Sequence, residues 1–374
     1  MVDAERLVQT FFELVQIDSE TKHERNICDT LKQKLSDFGL DVIEDDSAER
    51  TGHGAGNIIA TLKGRRSDLP TIFFTSHMDT VSPGKAIKPS IKDDDIVSDG
   101  TTILGSDDKA GLAALLETLY VLKENKVEHG DIQFVMTAGE ESSLAGSREI
   151  DHSLIRAEYG FALDSNGAVG DIIIAAPTQA KLHVTITGKS AHAGVNPEDG
   201  ISAIQVASQA IAKTPLGRID SETTANIGQF LGGGATNVVC DRVEILAEAR
   251  SLRKEKLEKQ LDAMASAFKT AAADNGATAD VKIQIMYPSY RFSEEDAVVQ
   301  HAQRAIKKIG RTSRLLTSGG GSDANVFSGL GIPTVNLAVG YENIHSTKER
   351  IPVQELIKTA ELVVALIAET QPIE

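Results

Sequence analysis

Two adjacent carboxylates, Glu140-Glu141, close the apolar run Ile132-Gln133-Phe134-Val135-Met136. Neighbouring residues on extended chain point to opposite sides, so one carboxylate can ligate a cation while the other faces a substrate and handles its protons. Alone, such a pair reads more simply as a solvated turn after a strand. The same form recurs, however. His77-Met78-Asp79 follows Thr71-Ile72-Phe73-Phe74-Thr75, Asp107-Asp108 follows Ile103-Leu104-Gly105-Ser106, and Asp164 follows Tyr159-Gly160-Phe161-Ala162-Leu163. His345 closes a segment after Thr334-Val335-Asn336-Leu337-Ala338-Val339. Apolar segments that each end in His, Asp or Glu are what an α/β sheet requires if its strand ends converge on cations at the carboxyl edge. His77 and Asp79 lie two apart, on one face of extended chain, where the carboxylate orients the imidazole or its metal.

The elements that must position these side chains follow from periodicity. Leu7, Phe11, Leu14 and Val15 recur at helical spacing, and Ile27, Leu31, Leu35 and Phe38 mark a second helix ended by Gly39. Residues 40–44 and 57–62 read as strands around a loop at 51–56, and residues 83–99 as a polar surface hairpin with Asp93-Asp94-Asp95 in it. Leu112, Leu115, Leu116, Leu119 and Leu122 define a helix whose N-terminus carries Asp107 and Asp108, a favourable place for negative charge even without a metal. From Pro177 the character changes. Residues 181–187, 223–231, 237–239, 243–249 and 281–286 read as antiparallel strands, with helices at 201–214 and 254–273. The expectation is an α/β domain with a mostly parallel sheet flanked by helices, formed by residues 1–176 and 289–374, interrupted by an α+β domain at 177–288. That insertion explains why His345 lies so far along the chain. The first domain resumes with helices at 296–309 and 354–369. The glycine runs 232–234 and 319–321 lack the Lys-Ser or Lys-Thr pair of a phosphate loop and read as tight turns, the second placing Ser322-Asp323 under the site.

A chain of 374 residues is long enough for two domains. Its formal charge of −16, from 38 basic and 54 acidic residues, argues against a nucleic-acid or anionic-membrane partner, either of which needs a basic stripe. Two isolated cysteines, Cys28 and Cys240, make neither a disulfide framework nor a thiolate metal cluster and fit a reducing cytoplasm. Charged residues break the N-terminal apolar pattern, so no signal-peptide core is expected, and no apolar run approaches the length of a membrane span.

Taken in order, Ser76-His77-Met78-Asp79-Thr80-Val81, Gly105-Ser106-Asp107-Asp108-Lys109-Ala110-Gly111, Thr137-Ala138-Gly139-Glu140-Glu141, Leu163-Asp164, Ser190-Ala191-His192-Ala193-Gly194, Gly320-Gly321-Ser322-Asp323 and Asn343-Ile344-His345 resemble the M20 family of dinuclear metallopeptidases, in particular its peptidase T-like, tripeptidase branch. The resemblance implies two divalent metal ions per chain, zinc foremost with cobalt or manganese as substitutes. His77 and Asp164 would hold one ion, Glu141 and His345 the other, and Asp107 both. Asp79 would steady His77, the Asp107-Asp108 peptide would be cis, and Glu140 would be the general base and acid for a water between the ions. The inserted domain resembles the family's lid or dimerisation domain. It would bring His192 to the oxyanion and Asn237 and Arg250 to polar groups of a short peptide, although Arg250 reads equally as a lid salt bridge. The stretch Ile344-His345-Ser346-Thr347-Lys348-Glu349 departs from the His-Gly-Lys-His-Glu form of tripeptidases. Carboxypeptidases and N-acyl amino acid amidohydrolases share the scaffold, and fold alone does not choose among them. A metal-dependent peptide-binding protein without activity is the rival of another class; the presence of Glu140 speaks against it.

Overall fold

The computed structural model describes residues 1–372. In chain order its first elements are α1 (Ala4–Val15), α2 (Arg25–Asp37), β1 (Asp41–Glu44), α3 (Ser47–Thr51), β2 (Ile58–Leu62), β3 (Ile72–His77), β4 (Ser90–Lys92) and β5 (Asp95–Val97). There follow α4 (Ser106–Asn125), β6 (Ile132–Thr137), α5 (Ala145–Arg148), β7 (Tyr159–Ser165) and β8 (Asp171–Ala176). Next come β9 (Thr178–Thr187), α6 (Ala203–Lys213), β10 (Gly217–Arg218), β11 (Thr223–Gly232), β12 (Arg242–Ser251), α7 (Lys254–Asp274) and β13 (Thr278–Tyr287). The chain finishes with β14 (Tyr290–Arg291), α8 (Ala297–Lys308), β15 (Arg314–Thr317), α9 (Asp323–Gly329), β16 (Thr334–Ala338), β17 (Arg350–Pro352) and α10 (Val353–Ala368).

Contacts divide these elements into two units. The first comprises Met1–Ala175, Arg291–Ser318 and Ser322 onward; the second comprises Ala176–Tyr290 with Gly319–Gly321. The first is built on a nine-stranded sheet of order β1-β2-β6-β3-β7-β16-β8-β14, with β15 also on β8. Its centre, β6-β3-β7-β16, is parallel, while β1, β2 and the β16–β8 pair run antiparallel. Strands β3, β6 and β16 are buried along their whole length and β7 along its middle, as parallel strands covered on both faces must be. Phe74 on β3 is paired in register with Phe134 on β6 and Phe161 on β7, and the rings stack at 6.2 and 5.7 Å. This register brings the carboxyl ends of three parallel strands to one edge, with His77 opposite Thr137. On the other face Phe73 packs on Phe327 at 4.7 Å, within a smaller core that includes Ile59 and Val135.

Helix α1 buries Leu7, Phe11, Leu14 and Val15, and Asp3 caps it by accepting from the backbone N–H groups of Glu5 and Arg6. It packs with α10 against α4, which is apolar almost all round because it lies between those helices and the sheet. Glu117 anchors this contact, accepting from Asp3 N at 2.8 Å and from Arg6 Nε at 2.7 Å. The expected hairpin forms as β4 and β5, turning through Asp93 and Asp94, both at positive φ.

The second unit has an antiparallel sheet of order β10-β11-β12-β9-β13. Alternation along β9 (Ala180, Leu182, Val184, Ile186) and β12 (Val243, Ile245, Ala247, Ala249) builds a core with α6 and α7. One expected strand does not form. Val238 makes only an isolated bridge to His192, and the ladder begins at Arg242. Two β-branched residues after a glycine run carry no alternation to tell a strand from a loop. A second difference lies before the loop at 51–56, where α3 turns once and ends in a left-handed Gly52.

Candidate metal centre

At the carboxyl edge of the first unit's sheet the side chains interlock. His77, the last residue of β3, places Nε2 3.0 Å from Asp107 Oδ1 and 3.7 Å from Asp164 Oδ1. Its Nδ1–H donates to the carbonyl of Asp79 at 2.9 Å, which fixes the tautomer and aims Nε2 at the two carboxylates. Asp107 reaches in the other direction too: Oδ2 lies 3.3 Å from His345 Nε2, which is 3.0 Å from Glu141 Oε1. Three groups of possible ligand atoms therefore overlap, namely His77-Asp107-Asp164, His77-Glu140-Glu141 and Asp107-Glu141-His345. The five residues expected to ligate metal, and Glu140, are brought together.

Each is positioned by local structure that the chain makes necessary. The turn after β6 passes through Gly139 at φ 64°, and a Cβ there would lie 2.4 Å from His53 Nε2. The buried Asp79 carboxylate accepts the backbone N–H of Glu140 at 3.0 Å and of Glu141 at 3.3 Å, so it holds the acidic turn as well as standing beside the His77 ring. Ser142 completes the turn through its hydroxyl, bonded to Thr21 and lying 3.1 Å from His53 Nε2. Asp107 sits between left-handed Gly105 and the body of α4 with non-helical dihedrals, and its peptide to Asp108 is cis. Asp164 is tied to β16 by Asn336, which donates to its carbonyl at 2.6 Å and accepts its N–H at 3.0 Å. The buried Tyr341 hydroxyl donates to Asp164 Oδ1 at 3.1 Å.

The electrostatics are those of an acidic cluster seeking positive charge. Burial, then Asp164, Asp323 and Glu141, push Glu140 well above the usual carboxylate range against the opposing His77. Burial likewise pushes Asp164 well above that range and raises Glu141. Asp107 goes the other way: despite burial, hydrogen bonds from His345 and His77 hold it low. His77 is raised well above its ordinary value because the bonds to Asp107 and Asp79 outweigh burial, and His345 is raised to about 10 by Asp107 and Glu141. Two imidazolium rings are the counter-charges this cluster recruits, and a cation bound to the same nitrogens would displace those protons. A His, Asp and Glu set with buried, mutually repelling carboxylates thus fits divalent cations.

Three expected substrate residues belong to the second unit. His192 is exposed, its Nδ1 accepting from Gly194 N at 3.1 Å, and its segment adjoins Asn237, whose carbonyl accepts from Ala193 N at 2.9 Å. Arg250, on β12, is engaged by Glu248 through Nε at 2.9 Å and Nη2 at 3.2 Å, which is the salt-bridge arrangement. Asp323 accepts a hydrogen bond from Thr137, at the end of β6.

Sequence reasoning missed Glu349, Tyr341, Asn336 and His53. Glu349 accepts four hydrogen bonds from residues 104–107. Asn336 alone carried a legible signal, a polar residue inside an apolar strand, which must be hydrogen-bonded when buried.

Residues 73–369 match the model of peptidase family M20/M25/M40. The crystal structure of an aminopeptidase PepT from Bacillus cereus ATCC 10987 shares 61% identity with the chain, covering 98% of it and 99% of its own length, with a TM-score of 0.90. That of a tripeptidase from Staphylococcus aureus shares 46% identity, covers 98% of both chains and has a TM-score of 0.93. YqjE of Bacillus subtilis (strain 168) is 62% identical over 369 residues, 99% of each chain. The site at the sheet edge and the match along most of the chain agree: this protein belongs to peptidase family M20 and is a hydrolase.

Proposed function

We propose that the protein is a dinuclear metallopeptidase that releases the N-terminal residue of short peptides, tripeptides foremost. The observation that carries the two-cation reading is Asp107, whose two oxygens face different imidazoles, His77 and His345. His77 and Asp164 would hold one ion, Glu141 and His345 the other, and Asp107 would be shared; zinc suits this set, as do cobalt and manganese. Such cations, when bound, polarise a carbonyl oxygen and acidify water. Glu140 supplies the proton chemistry. Its carboxylate takes a proton from the attacking water and returns it to the nitrogen of the leaving amine. Asp79 keeps the Glu140-Glu141 turn and the His77 ring in place.

The peptide preference rests on the similar structures named an aminopeptidase and a tripeptidase. We assign the second unit, near residues 177–288, the role of a lid that contacts substrate through His192, Asn237 and Arg250 and that pairs with a second copy. Arg250 would exchange Glu248 for a substrate carboxylate. Two free cysteines, Cys28 buried and Cys240 half-buried, favour a cytoplasmic setting, and no helix among the described residues is long and apolar enough to cross a membrane.

The test offers the purified protein a free tripeptide, its N-acetylated form and an N-acetyl amino acid, with products followed by mass spectrometry before and after chelation and cation restoration. Metal-dependent release of the N-terminal residue from the free tripeptide alone is expected. Cleavage confined to the acylated compounds would replace the peptide reading with an amidohydrolase one.

A further inference from the structure

One buried carboxylate joins the two segments that supply Asp107 and His345. Glu349 is 1% exposed, and both its oxygens are occupied. Oε2 accepts the N–H groups of Leu104 at 2.8 Å and Gly105 at 3.0 Å; Oε1 accepts the Ser106 hydroxyl at 2.6 Å and the Asp107 N–H at 3.1 Å. The bond to Asp107 spans 242 positions of sequence. These N–H groups lie at and just before the N-terminus of α4, where they have no intrahelical acceptor, and Glu349 takes them instead. On its own side Glu349 lies four residues after His345. The loop between Glu342 and Arg350 is closed at its base by reciprocal backbone bonds of 2.8 and 3.1 Å, and Glu349 N donates to Ser346 O at 3.1 Å. Arg350 then opens β17, paired in register with Val97. Within this closed loop His345 is held at φ 60°, a left-handed conformation uncommon outside glycine.

We infer that Glu349 is a positioning residue that sets the distance between Asp107 and His345 and so fixes the affinity of the cation site they share. The inference rests on the dinuclear reading above. A carboxylate and an imidazole must sit about 2.0–2.2 Å from one ion, a tolerance that two independent loops would not keep. Glu349 makes them one body: any shift of the 342–350 loop that moves His345 moves the acceptor of Asp107 N with it. Glutamine in its place has one acceptor oxygen and an amide that cannot accept from Leu104 and Gly105.

The test is a cobalt(II) titration of the metal-stripped parent, Glu349→Gln and Glu117→Gln, followed by calorimetry and by visible absorption. Glu117, equally buried, ties α1 to α4 and serves as the control for lost stability. The parent is expected to take up two equivalents. Glu349→Gln should bind one of them about 10–100-fold more weakly, with altered visible bands, while Glu117→Gln titrates like the parent even where its thermal midpoint falls. Ser106→Ala, which removes a single donor to Glu349, should shift the same equivalent in the same direction by less, and it stands in if Glu349→Gln does not fold. A Glu349→Gln protein, or in its absence Ser106→Ala, that matches the parent in affinity and spectrum overturns the inference alone. A parent that takes up fewer than two equivalents overturns the dinuclear reading and the inference with it.

Discussion

Glu140 and Glu141 are consecutive yet meet different neighbours: Glu141 lies against His345, whereas Glu140 is crowded by the charges of Asp164 and Asp323. The proposed division of labour between them gives a direct prediction. Glu140→Gln should lower kcat by about 10²–10⁴-fold while bound metal, counted by elemental analysis, stays at the parent value. A variant that keeps kcat would remove Glu140 from the proton chemistry. A second residue-scale prediction concerns His301, which lies in the core and not among the acidic cluster. Its Nε2–H donates to Leu366 O at 2.7 Å, so Nδ1 accepts from the Tyr159 hydroxyl at 3.0 Å, and burial lowers its pKa to about 4. The unfolded chain takes up that proton near pH 6.5. Between about pH 6.5 and 4 the unfolded state therefore binds more protons than the native one, and stability falls as pH drops, by about 3 kcal/mol over the whole window. His301→Gln should be less stable at neutral pH but show a shallower loss through this window in urea titrations.

At the scale of elements, the turn after β6 decides where both glutamates point. Gly139→Ala would place a Cβ against the His53 ring at a positive φ, and a cost of about 2–4 kcal/mol is expected from strain plus overpacking. Activity measured on the folded fraction should fall too, because the turn must move to relieve the contact; full specific activity would show that the turn tolerates displacement. The strands that carry His77, Glu140 and Asp164 were legible because each is an apolar run that stops at a ligand type, a pattern that local sequence states in full. The alternation of β9 and the helical spacing of α1 were legible for the same reason. The supports were not. Glu349, Tyr341 and His53 act on residues 242, 177 and 89 positions away, and nothing beside them in sequence announces the partner. Arg250 shows the opposite limit: its type fits both a substrate carboxylate and Glu248, and only coordinates show Glu248 already engaged.

For the molecule as a whole, an acidic cluster inside a chain of net charge −16 makes cations a source of stability. A cation that binds only the native state at a hundred times its Kd adds about 2.7 kcal/mol. Zinc, cobalt or manganese should accordingly raise the thermal midpoint by several degrees, and a chelator should reverse the rise; a midpoint indifferent to both would count against native-state binding.

The order of the large sheet has a consequence for how the protein is made. Strand β16 lies between β7 and β8, yet Thr334 emerges from the ribosome 169 residues after Ser165 (334 minus 165). At about 5–20 residues per second, β7 and β8 wait about 8–35 s for the strand that pairs with both. Their apolar edges are open templates throughout that interval. Fragments that end before β16 should therefore accumulate as aggregates or chaperone-bound chains, and the candidate site waits longer still, for His345.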